Sequence, residues 1–158
     1  MPLPPRSALE AIYEIVMATT QEAEPALAKL GLTMSTTYAL WAIDPDEPAP
    51  TMKAVAQRLR CNASSLTFLC DRLLKCGYIT RTEDPTNRRF RVLSLTPAGH
   101  EARRTALDAL GAACPLNSLS ENEHQDLLRV LSGVLPESEP EPQPAESVGV
   151  VGSGARRS

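Results

Sequence analysis

Aromatic residues are scarce: one Trp, three Tyr and two Phe in 158 residues. A core must therefore be built mainly from Leu, Val, Ile and Ala. Long apolar runs are missing too. The longest unbroken one is the six residues 38–43, far short of the ~20 that a membrane-spanning helix needs, so no membrane partner is expected. Glu10 and Glu14 interrupt the apolar pattern near the start and no basic stretch precedes them, so no secretory signal is expected either. Cys61, Cys70, Cys76 and Cys114 form no C-x-x-C pair. They read as reduced thiols, packed as small apolar groups in a cytoplasmic protein, and not as a disulfide scaffold. None of the eight glycines makes a phosphate-cradling loop between strand and helix. His100-Glu101 fails as a zinc-protease motif because Arg104 stands where the second His belongs. No catalytic residue, cofactor or metal ligand is expected, and an enzyme is disfavoured.

What is present is charge, unevenly placed. Residues 51–104 hold 11 basic and four acidic side chains, a net of +7, whereas the remainder holds 5 basic and 15 acidic, a net of −10. The whole chain is thus −3. A basic middle between acidic ends suits a surface that meets a polyanion, although basic residues can also be merely solvated.

Helix signals punctuate the chain. Ser7 with Glu10, and Ser120 with Glu123, have capping-box spacing. The first predicts a helix from about 8 toward 30, with Leu9, Ile12, Tyr13 and Val16 on one face, a kink or break at Pro25 and Gly31 as the stop. Thr33 caps a second helix running through Leu40, Trp41 and Ile43. The Pro- and Asp-rich residues 44–50 form a loop. Thr51 caps a short third helix with Val55, Ala56 and Leu59 inward, and after a tight turn at Arg60-Cys61, Asn62 caps a fourth that ends before Gly77. Two strands, 78–83 and 90–95, flank a turn at 84–89. Thr96-Pro97 opens a fifth helix, and Leu127, Leu128, Leu131, Val134 and Leu135 stripe a sixth. Residues 136–158 are rich in Pro, Glu, Gly and Ser and predict a disordered tail.

The order short helix, tight turn, helix, hairpin is that of a winged helix-turn-helix: mainly α with a small β-hairpin wing. On a helical wheel the fourth helix turns Leu66, Leu69, Cys70 and Leu73 to one side. Ser64, Phe68, Asp71 and Lys75 lie opposite, flanked by Ser65, Thr67 and Arg72. Small hydroxyls at the start of such a helix can meet base edges in a major groove. Phe68 is the odd member, either an apolar contact to a thymine methyl or a prop against the wing or a neighbouring helix.

These residues carry a resemblance. LRCNASSLTFLCDRLLKCGYI at 59–79 is similar to the recognition-helix segment of the MarR family of bacterial regulators, and TRTEDPTNRRFRVLSLTPAGHEA at 80–102 resembles that family's wing. The matched elements are Asp71-Arg72-Leu73, Gly77, the Asp-Pro turn, the arginine pair and Leu-Thr-Pro-Ala-Gly. The likeness implies one domain over 7–135, with a winged core at about 33–95 and dimerisation helices at about 7–31 and 96–135. It implies a homodimer that binds palindromic double-stranded DNA, more as a repressor than an activator, and often a small aromatic or other organic ligand. It maps base contacts to Ser64, Ser65, Thr67 and Phe68, a phosphate or structural contact to Arg72, and the wing tip to Arg88 and Arg89; Lys75 and Arg91 complete the DNA-binding set. Tyr13, Met17, Tyr38 and Trp41 are candidates for a ligand pocket, with a core role as the alternative. Three positions depart from the family: Asn87 replaces the usual Asp before the arginine pair, leaving the wing-steadying ion pair without its acid; Phe68 replaces a polar or basic residue; Arg60 replaces Gly. A winged helix used only for protein contacts is the competing reading.

Overall fold

A computed structural model describes residues 6–135, so the tail expected at 136–158 lies outside the described residues. Six helices and one hairpin follow in the order α1 Ala8–Lys29, α2 Met34–Trp41, α3 Met52–Arg58, α4 Ala63–Lys75, β1 Ile79–Glu83, β2 Arg91–Leu95, α5 Pro97–Ala113 and α6 Glu121–Ser132, with a single 3-10 turn at Pro115–Ser118. The fold is mainly α with a two-stranded antiparallel wing.

Each helix begins on a side chain that satisfies an otherwise orphaned backbone N–H. The acceptors are Ser7, Thr33, Thr51, Asn62, Thr96 and Ser120, each taking the N–H three residues on. At Ser7 the reciprocal half of the expected box is shifted by one residue, because the Glu10 carboxylate accepts from the Arg6 backbone N–H at 2.6 Å. The first helix runs through Pro25 without the expected break. Proline removes one hydrogen bond, while the turns around it bury Ala23 and Leu27 in the core, and that burial holds the helix together. Gly31, at φ +69°, then ends it: the Gly31 N–H reaches the Ala28 carbonyl and the Leu32 N–H the Leu27 carbonyl, both at 3.0 Å. The second helix stops at Trp41, two residues short of the expected Ile43. Its last carbonyls, at Leu40 and Trp41, accept from the Arg103 guanidinium at 3.3 and 3.4 Å, a cation where the helix dipole is negative.

Leu27, Leu40, Val55, Leu66, Leu73 and Leu93 are the largest apolar side chains in the core. They come from α1, α2, α3, α4 and β2, so the winged unit is sealed around α4. Strand pairing runs Ile79↔Leu95 to Glu83↔Arg91, one residue shorter at the start of each strand than the sequence predicts. Residue 51 adds a bridge to Val92, and the Leu93 N–H donates to the Pro50 carbonyl at 2.9 Å. Gly99 lets α5 start directly against the end of α4, since a Cβ there would lie 1.8 Å from the Tyr78 carbonyl oxygen. Tyr78 in turn donates its hydroxyl to the Leu30 carbonyl at 2.8 Å, joining the ends of α1 and α4.

The first half of α1 and the whole of α6 are different. Leu9, Ile12, Tyr13, Val16 and Met17 are exposed in the single chain, as are Leu128, Val130, Val134 and Leu135, and α6 buries none of its residues. No described helix is long and apolar enough to cross a membrane.

Candidate nucleic-acid interface

The turn between α3 and α4 sets how α4 is presented. Arg60 occupies it in the left-handed conformation at φ +50°. The Arg60 N–H donates to the Gln57 carbonyl and the Cys61 N–H to the Ala56 carbonyl, each at 3.0 Å, the same two-bond closure that Gly31 makes. A side chain in this conformation costs about 1–2 kcal/mol, so Arg60, at a position that favours glycine, is a local strain. Asn62 Oδ1 then accepts from the Ser65 N–H at 2.8 Å and starts α4.

Leu66, Cys70 and Leu73 are buried and Leu69 is half-buried, while Ser64, Ser65, Thr67, Phe68, Asp71, Arg72 and Lys75 are all exposed. The Thr67 hydroxyl donates to the Ala63 carbonyl at 2.9 Å, leaving its oxygen as an acceptor. Among the described residues the hydroxyls of Ser64 and Ser65 and the cations of Arg72 and Lys75 have no side-chain partner. Phe68 is 62% exposed, with one edge on a cleft that it shares with Tyr38 of α2.

The wing turn is held from within. Asp84 Oδ1 accepts from the Thr86 N–H at 2.7 Å and from its hydroxyl at 2.6 Å. Those bonds hold the Asp84 carboxyl below the ordinary 3.8. Asn87 Oδ1 accepts from the Arg89 N–H at 3.1 Å, a bond an amide makes as well as a carboxylate does. The wing's ion pair lies lower down, between Arg91 and Glu83 at 3.0 Å, which face each other across the strands. Arg91 is therefore engaged in steadying the wing. Arg88 and Arg89, next to the turn, have no acidic partner among the described residues.

The sequence did not foretell a cleft of about 640 Å³ between α2 and α4, lined by Thr33, Ser35 and Tyr38 on one side and by Leu59, Cys61, Ser64, Ser65, Phe68, Leu69 and Arg72 on the other. The three-residue spacing of Ser35 and Tyr38 on α2 was the available signal. Of the four residues expected at a ligand pocket, only Tyr38 lines it. Trp41 stacks on Tyr38 with ring centroids 6.5 Å apart, and Tyr13 and Met17 lie on the uncovered face of α1. All four cysteines are free thiols. Cys70 is buried, and burial pushes its thiol up to about 11. Cys61 and Cys114 are half-buried, and Cys76, contrary to the expectation of inward packing, is exposed at the C-cap of α4, beyond the last residue its apolar face covers.

The MarR family pattern matches residues 30–89. Comparison with curated proteins gives no match. Among solved structures, CouR from Rhodococcus jostii RHA1 bound to p-coumaroyl-CoA is similar at 20% identity, over 84% of this chain and 96% of that one, with a TM-score of 0.69. CouR bound to a 23-mer DNA duplex gives 20%, 85% and 99%, and 0.67. A mutant MarR from E. coli complexed with operator DNA gives 22%, 80% and 91%, and 0.65. At such identities these likenesses establish the fold. Residues 30–89, the segment that carries α4, β1 and the wing turn, thus match the MarR family pattern, and the chain has the winged helix-turn-helix fold of these solved structures.

Proposed function

We propose that the chain is a cytoplasmic, sequence-specific double-stranded DNA-binding regulator, acting as a homodimer on a palindromic operator, as a repressor. The observation that carries this reading is the division of α4. One face seals the core, and the other presents free hydroxyls, Phe68 and two cations to solvent, within a stretch of net +7. In this reading Ser64, Ser65, Thr67 and Phe68 meet base edges, and Arg72 and Lys75 meet phosphates. Arg88 and Arg89 reach the minor groove, with Arg91 behind them. Residues 33–95 form the DNA-binding core within a single domain at 7–135. The uncovered apolar faces of α1 and α6 pair two copies, which sets two α4 helices about one DNA turn, ~34 Å, apart. The DNA-bound CouR and MarR structures support this use of the fold. The p-coumaroyl-CoA complex of CouR supports control by a small organic ligand, for which Tyr38 is the anchor the geometry favours, with Tyr13, Met17 and Trp41 further away on α1 and α2.

Fluorescence anisotropy with a library of labelled duplexes, at rising salt, tests the reading. Log affinity should fall linearly with log salt, and replacing Arg88 and Arg89 together by Ala should flatten the slope by about one to two units. No saturable binding at low salt would refute it. An unchanged slope in the double variant would remove the wing from the interface.

A further inference from the structure

Along α4, Ser64, Phe68, Asp71 and Lys75 recur at helical spacing and form one outward stripe. Three of the four are polar and the second is a phenyl ring. Its exposure of 62% is large for a side chain whose burial would be favourable. On one side the ring edges the cleft toward Tyr38; the rest faces away from the protein. A phenyl ring has no donor or acceptor, so it cannot read a base by hydrogen bonding. A polar base edge pressed against it would exchange water for nothing. In the major groove, the apolar group at a base edge is the C5-methyl of thymine. Ser64 and Ser65, one turn nearer the helix start, keep hydroxyls available for a neighbouring base pair.

We infer that Phe68 is a specificity-determining residue that packs on a thymine methyl in each half-site, so that this chain reads T there by apolar contact and not by hydrogen bonding. The inference rests on the DNA-binding reading above. It makes the operator preference at one symmetric pair of positions a property of a single side chain. It also keeps the two kinds of readout apart: hydroxyls at the first turn of α4, a methyl contact at the second.

The test uses the full chain and duplexes selected by it from a random-sequence library. Each thymine in a selected duplex is replaced by deoxyuridine, one symmetric pair at a time, which keeps base pairing and removes only the methyl. At one pair, affinity for the unaltered protein should fall about fourfold per half-site, the worth of one buried methyl. Phe68→Ala should abolish that sensitivity and leave sensitivity at other positions as it was, while Phe68→Leu should retain part of it. The thermal midpoint of Phe68→Ala should stay within about 1 °C of the parent, as expected for an exposed position. Deoxyuridine tolerated everywhere, or equal sensitivity in Phe68→Ala, overturns the inference while leaving DNA binding intact. A large fall in the midpoint with base preference unchanged makes Phe68 scaffold and overturns it as well. Failure to select any duplex overturns the DNA-binding reading itself, and this inference with it.

Discussion

Helices α4 and α6 look alike as sequence. Each begins on a polar cap, Asn62 or Ser120, each carries Leu at helical spacing on one face, and each has a basic residue in its last turn. In the folded chain they part company. The fourth helix buries Leu66, Cys70 and Leu73 among residues from α1, α2, α3 and the wing, whereas α6 buries nothing and leaves Leu128 and Val130 in solvent. An apolar stripe specifies that a face will be covered, but not by what. For α4 the cover is supplied by the same chain, from α1, α2, α3 and the wing. For α6, and for the matching face of α1, it lies outside the described residues, and in our reading it is a second copy.

The sharpest contrast is thermodynamic. Leu66→Ala, in the sealed core, should destabilise by about 2–5 kcal/mol, and its loss of thermal midpoint should be the same at every protein concentration. Leu128→Glu, on the open face of α6, should instead act through assembly. At micromolar concentration, light scattering should shift toward monomer, and the thermal midpoint should lose its dependence on concentration. If Leu128→Glu unfolds the protein at all concentrations, α6 is part of the monomer core and the comparison fails.

Smaller effects sharpen the picture on the α4 side. Arg60→Gly should relieve the left-handed turn and stabilise by about 1 kcal/mol, raising the thermal midpoint by roughly 3 °C without altering the dimer mass. An unchanged or lowered midpoint would mean that the Arg60 side chain makes compensating contacts. The smallest effect concerns the wing. Because the Asp84 carboxyl sits below 3.8 in the folded chain, the turn it holds is fully stabilised above that value and loosens as pH falls through the lower one. The Thr86 amide, followed by NMR, should titrate with a midpoint below 3.8, and Asp84→Asn should abolish that titration.

Much of this was legible because it is local. The caps at Ser7, Thr33, Thr51, Asn62 and Ser120 are side chains bonding three residues along, and a short-range rule suffices to find them. The division of α4 is likewise a matter of 100° per residue. What escaped depends on distant partners. Pro25 was read as a break because its lost hydrogen bond is local, while the burial of Ala23 and Leu27 that outweighs it is tertiary. Glu83 meets Arg91 only once the strand register is set, so the sequence shows Asn87 as a missing acid and does not show the pair lower in the wing. The cleft needs Tyr38 of α2 brought against Phe68 and Arg72 of α4, 30 residues or more along the chain. Arg60 could be marked as a departure, but its strain appears only with its backbone angle.

The central claim is that two copies, joined through the open faces of α1 and α6, present two α4 helices to one duplex. Size-exclusion chromatography with light scattering, on the free chain and on its complex with a selected duplex, measures this directly. The account predicts twice 17.1 kDa for the free protein at micromolar concentration and two chains per duplex in the complex. A free protein of 17.1 kDa that binds the same duplex as a single chain, with undiminished affinity, would contradict it.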